Sequence, residues 1–160
     1  MYCSDFRMHK PVSIGKTIFL AMVWMYVTSA LPVFLSDKSW TTSDILFCTS
    51  RFFFIYCICI LFDYRDRDYD KQEGIRSMIT YLDNKGVDIL FFSSLVLFAI
   101  TTLLLIPAGF SVTDTILILV PGIVMIPLYK IGKKNFSDYL YYIGLDGMMM
   151  LPAILTTIVH

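Results

Sequence analysis

Residues 45–62 read ILFCTSRFFFIYCICILF, and residues 63–78 continue as DYRDRDYDKQEGIRSM. The first stretch carries a single charge, Arg51. At about 1.5 Å per helical residue it covers roughly 27 Å, close to the hydrocarbon thickness of a bilayer, about 30 Å. The second stretch holds nine charged side chains in sixteen positions. A change this abrupt is what a membrane–water boundary imposes: lipid-embedded backbone must satisfy itself within a helix, and ionised side chains are costly until the helix leaves the apolar layer.

Four further apolar blocks flank this one, at residues 17–35 (TIFLAMVWMYVTSALPVFL), 88–106 (DILFFSSLVLFAITTLLLI), 115–129 (TILILVPGIVMIPLY) and 138–158. The fourth block in chain order contains Pro121 and Pro127, which predict a kinked helix. The fifth is interrupted by Gly144, Asp146 and Gly147. No stretch alternates with the period of two that a membrane β-barrel needs. Composition agrees, with 57% apolar and 16% charged residues over 160 positions, against about 45–50% and 25% in soluble domains. The expected fold is an all-α integral membrane bundle of about five transmembrane helices, a single domain over residues 1–160. Residues 1–16 are polar and the first apolar block is long enough to remain as a span, so a cleaved signal peptide is not expected.

Basic residues orient such a chain, because loops rich in Lys and Arg stay on the cytoplasmic side. With five spans, Arg7, Lys10, Lys16, Arg65, Arg67, Lys71, Arg76, Lys85, Lys130, Lys133 and Lys134 all fall on one side, and only Lys38 falls on the other. This predicts a multi-pass protein of the cell (inner) membrane with the acidic loop, residues 63–87, in the cytoplasm. The net charge of zero gives no reason to expect nucleic acid as a partner. The cysteines Cys3, Cys48, Cys57 and Cys59 lack zinc or redox spacing and read as apolar packing.

If the helix continues past residue 62, Asp63, Asp66 and Asp70 project within roughly 60° of one another at 100° per residue, with Asp68 pointing elsewhere. Carboxylates gathered at a helix end repel, and a hard divalent cation such as Mg²⁺, completed by water and a substrate phosphate, relieves that repulsion. Arg67, Lys71 and Arg76 add positive charge for the same phosphate. An EF-hand is excluded: Lys71 stands where its glycine belongs and Ser77 where its bidentate glutamate belongs. The pattern of phosphoalcohol transferases, an Asp-Gly pair followed closely by Ala-Arg and then two spaced aspartates, is also not supplied. Mixed charges anchoring the chain at the interface are the plain structural reading of the same run.

The stretch FDYRDRDYDKQEGIRSM resembles the second aspartate-rich motif of the UbiA superfamily of membrane prenyltransferases, an Asp-x-x-x-Asp followed by a basic residue, a glycine and a Ser/Thr region. The resemblance implies that Asp66 and Asp70 bind Mg²⁺, that Asp63 assists one turn earlier, and that Lys71 and Arg76 contact the diphosphate. It further implies transfer of a polyprenyl group from polyprenyl diphosphate to a lipophilic acceptor, expected to be aromatic. The five blocks would correspond to helices five to nine of a nine-helix fold. The family's first motif, Asn-x-x-x-Asp-x-x-x-Asp, is not in this sequence, so a missing N-terminal half or a second copy is expected to complete the site. A non-catalytic membrane subunit or a transporter-like bundle is the competing expectation.

Two charges inside spans, Arg51 and Asp146, are expected to make a structural contact with each other or separate polar contacts in the bundle. Met148, Met149 and Met150 point in three directions on a helix and read as packing, not as a metal site. Trp24, Trp40 and the tyrosines near 139–142 read as interface anchors or pocket lining.

Overall fold

The structure, a computed structural model, describes residues 15–36, 38–74, 77–134 and 140–159. Its helices are α1 (Lys16–Met25), α2 (Leu31–Leu35), α3 (Thr42–Gln72), α4 (Met78–Tyr81), α5 (Asn84–Leu103), α6 (Val112–Gly132) and α7 (Asp146–Val159). A π-helical turn, Tyr26–Ala30, joins α1 to α2, and another, Leu140–Leu145, leads into α7. There is no strand among the described residues, and the all-α bundle expected from the apolar blocks is what forms.

Four helical units are long and apolar enough to cross a membrane: Lys16–Leu35, Thr42–Gln72, Asn84–Leu103 and Val112–Gly132. The fifth expected block is helical over Leu140–Val159, its π turn lying where the glycines interrupt the apolar run. Large apolar side chains such as Phe19, Phe34, Ile89, Ile123 and Ile158 stand exposed. A bilayer, not water, is the solvent that accommodates them.

Helix α3 is the central post. Buried positions make up 61% of its apolar window, against 17% to 39% in the other three spans. Thr41 and Asp44 start it with a reciprocal cap, the Thr41 N–H donating to Asp44 Oδ2 (2.9 Å) and the Asp44 N–H to Thr41 Oγ1 (3.3 Å). It ends at Gly74, whose φ of 68° is a left-handed conformation that glycine adopts without steric cost. No glycine or proline lies between Asp63 and Glu73, so the acidic run expected as a loop instead forms the last turns of α3, as far as Gln72. The loop proper begins only there.

Close packing and a few polar bonds hold the other helices to this post. Ser50 and Thr102 are buried and their hydroxyls meet across α3 and α5 at 2.8 Å. Thr102 donates its proton to the Phe98 carbonyl (2.7 Å), which makes Ser50 the donor between helices. The Phe54 and Phe98 rings pack 5.3 Å apart. On the other side of Phe98 lies Gly122 of α6, where a Cβ would fall 2.3 Å from the Phe98 ring. Such small-residue approaches are how helices associate in lipid, where no hydrophobic force drives them together.

Proline shapes the first span, and an arginine fastens the last helix. Pro32 has no N–H for the Thr28 carbonyl, and the wide π turn just before it accommodates the break. Arg51, 7% exposed in mid-helix, donates from Nη2 to the Met149 carbonyl of α7 (2.9 Å) and lies over the Phe54 ring. Arg51 thus takes up a main-chain oxygen; the side chain of Asp146, its expected counterpart, lies outside the described residues.

Gly122→Ala is expected to destabilise the bundle by about 1–3 kcal/mol through overpacking, and Phe98→Leu in the same protein should recover part of that loss. Reversible unfolding in mixed micelles measures both; additive costs would refute the contact. A double-mutant cycle of Ser50→Ala with Thr102→Val should give a coupling of about 0.6 kcal/mol, the usual size for a hydrogen bond between membrane helices.

Candidate functional site

Five chain segments meet at one end of the bundle. The start of α1 reaches the end of α3 where Thr17 donates to Asp63. The turn before α5 reaches it where Arg67 Nη1 donates to Asn84 Oδ1 (2.7 Å) and Nη2 to the Leu82 carbonyl. The end of α6 reaches it where Lys133 Nζ lies over the Tyr64 ring (5.3 Å). The approach to α7 reaches it where Tyr141 packs on Phe62 (5.6 Å) and under the Arg65 guanidinium (4.9 Å). Lys16, Arg65, Arg67, Lys71, Lys85, Lys130, Lys133 and Lys134 therefore belong to one end, as the alternation of loops predicts. Arg7, Lys10 and Arg76 lie outside the described residues, so the expected contact of Arg76 with diphosphate falls outside them too.

On the end of α3 the carboxylates divide by environment. Asp63 and Asp70 are buried, whereas Asp66 and Asp68 are exposed. Asp63 accepts from the Thr17 hydroxyl, itself buried. Asp66 accepts from Arg65 Nε at 2.9 Å. Lys71 is exposed in the last turn of α3, where a cation complements the helix dipole.

Helical rise sets what this face can hold. Asp63 and Asp66 are separated by about 4.5 Å along the axis, Asp66 and Asp70 by about 6 Å, and Asp63 and Asp70 by roughly 10 Å. Neighbouring carboxylates one turn apart are within reach of a shared cation, but the outer two are not. Accordingly, no group of three or more His, Cys, Asp or Glu is drawn together as a metal cluster among the described residues. The Asp66–Asp70 pair does fit the sparse protein contribution typical of Mg²⁺, one or two carboxylates with water and phosphate oxygens completing the shell. Lys71 follows Asp70 directly in the same last turn.

A second polar cluster was not foreseen from sequence. Asp88 of α5 accepts from Lys133 Nζ (2.6 Å) and from the Tyr129 hydroxyl, and the Tyr129 and Phe91 rings stack 3.9 Å apart. Asp88 stood at the start of an apolar block and drew no attention. The available signal was the pair of stripes at helical spacing, Asn84, Asp88 and Phe92 on α5 and Tyr129 and Lys133 on α6. Together with Tyr64 and the neighbouring lysines these residues line an open cavity of about 540 Å³.

No protein-family model matches this chain, and no curated protein or solved structure shows significant similarity to it.

Proposed function

We propose that this chain is the C-terminal half of a UbiA-type membrane prenyltransferase, transferring a polyprenyl group from an allylic diphosphate to a lipophilic acceptor. The observation that supports the reading is the end of α3. A membrane-crossing helix carries Asp63, Asp66 and Asp70 on one face just past its apolar stretch, two of them buried, with Lys71 at its close. Carboxylates shielded from water at a membrane mouth are costly unless something offsets their charge, and a cation held against phosphate oxygens does so.

In this reading Asp66 and Asp70 hold Mg²⁺, which supplies Lewis-acid stabilisation of the departing diphosphate. Lys71 and Arg76 bind the diphosphate oxygens and keep the leaving group at the interface. The bond to Thr17 sets the orientation of Asp63 and ties α1 to the acidic end. The apolar helices below receive the polyprenyl tail and keep water from the allylic carbon. The second carboxylate cluster such chemistry needs comes from outside this sequence, on a longer chain, a separate one or another copy. The excess of Lys and Arg at this end supports a cytoplasmic address for it.

A second reading draws on the Thr17–Asp63 bond. A carboxylate already accepting from a buried hydroxyl is partly satisfied without a metal, as in a non-catalytic membrane subunit or transporter-like bundle that uses the acidic helix end for packing.

Calorimetric titration of the purified chain in lipid nanodiscs with geranylgeranyl diphosphate distinguishes the two. Binding is expected in Mg²⁺ and lost in EDTA, and Asp66→Asn with Asp70→Asn should weaken it at least tenfold. Equal binding by both proteins, or binding indifferent to Mg²⁺, overturns the transferase reading in favour of the subunit.

A further inference from the structure

The cavity around Asp88 does not end at the membrane boundary. Phe92 forms part of its wall and also part of the wall of an apolar groove of about 290 Å³ between α5 and α6. Leu95, Val96 and Ala99 continue that groove along α5, with Leu119, Gly122 and Ile126 facing them from α6. The lining residues follow helical stripes on both sides, and cavity and groove adjoin at Phe92 along one stripe. From Asn84 to Ala99 the stripe runs roughly 22 Å. That is close to the depth of one leaflet with its headgroup layer, half of about 40–45 Å.

Its two ends differ in chemistry. The polar end has three ammonium groups, Lys130, Lys133 and Lys134, against one carboxylate, Asp88. Lys133 is held by Asp88 at 2.6 Å, while Lys130 and Lys134 are exposed beside it. The deep end is almost wholly apolar, kept open by Gly122 and Ala99 and floored by the Phe98 ring. A ligand that satisfies both ends has an anionic phosphate head and a hydrocarbon tail.

We infer that the α5–α6 groove is a binding site for an anionic phospholipid, its phosphate held by Lys130 and Lys134 and one acyl chain laid along Val96, Ala99 and Ile126. Basic pockets between membrane helices on the positively charged side collect such lipids. A soluble phosphate would use the lysines but not the groove. A polyprenyl diphosphate has the right shape, but the groove opens beside Tyr64, about 100° around α3 from Asp63, so a diphosphate seated here lies away from the acidic face. The site stands independently of the prenyltransferase reading, because none of Asp63, Asp66 or Asp70 lines it.

The test is native mass spectrometry of the detergent-purified chain offered phosphatidylglycerol and phosphatidylcholine of matched acyl chains. Phosphatidylglycerol should be retained at least tenfold better. Lys130→Gln with Lys134→Gln should remove most of that preference, leaving Lys133 to hold Asp88, and Ala99→Leu should weaken retention of both lipids by filling the groove. Unchanged thermal unfolding in detergent confirms that the variants fold; a variant that fails this control is replaced by Lys134→Gln alone. Equal retention of the two lipids, or indifference to the lysine changes, overturns the site. Displacement of phosphatidylglycerol by millimolar inorganic phosphate assigns the lysines to a soluble anion, and stronger retention of geranylgeranyl diphosphate assigns the groove to substrate; either result also overturns the phospholipid assignment.

Discussion

A helix of 31 residues is about 46 Å long, and the apolar layer it crosses is about 30 Å thick. About three turns of α3 must therefore stand outside the hydrocarbon, and the polar end of the bundle is arranged around that overhang. Because the backbone stays helical to Gln72, the acidic side chains leave the membrane in register with the apolar helix below. Their angular positions follow from residues packed many ångströms away. Four other segments then converge on the overhang, bringing Thr17, Asn84, Lys133 and Tyr141 to it from separate parts of the chain.

Within the membrane, cohesion depends on surface shape and on a few buried donors. Hydrocarbon tails compete equally well for apolar side chains, so close approaches such as Gly122 on Phe98 and bonds such as Ser50 to Thr102 distinguish the bundle from separate helices in lipid. Pro32 fits the same logic, its missing N–H absorbed by a π turn, and the Met149 carbonyl of α7 meets the Arg51 guanidinium. The polar end follows different physics, with charges of both signs near water and ion pairs such as Lys133–Asp88 fixing the relative rotation of α5 and α6.

Much of this was legible in the order of residues. Apolar blocks of bilayer length mark the helices directly, since hydrophobicity and length are properties of consecutive residues. The continuation of α3 through its acidic end is also local, because nothing between Asp63 and Glu73 breaks a helix. The common face of Asp63, Asp66 and Asp70 follows from pitch alone. What sequence did not disclose is pairing between helices. Asp88 is separated from Tyr129 and Lys133 by more than forty positions, and nothing in its own neighbourhood announces them. Burial was equally hidden: Asp63 and Asp66 belong to the same run, yet α1 covers one and leaves the other open. Arg51 makes a polar contact in the bundle, one of the two outcomes its place in a span predicts, but which oxygen it takes is not written in the sequence, because a backbone carbonyl has no letter of its own.

That last contact has a consequence for how the protein can drift over generations. Arg51 grips an oxygen that every amino acid possesses, so an exchange of the side chain at position 149 does not remove the acceptor that fastens α7. Inheritance need only preserve the arginine and the helical backbone that presents the oxygen. The anchor is recorded in one codon, and not in a matched pair of residues that would have to change together.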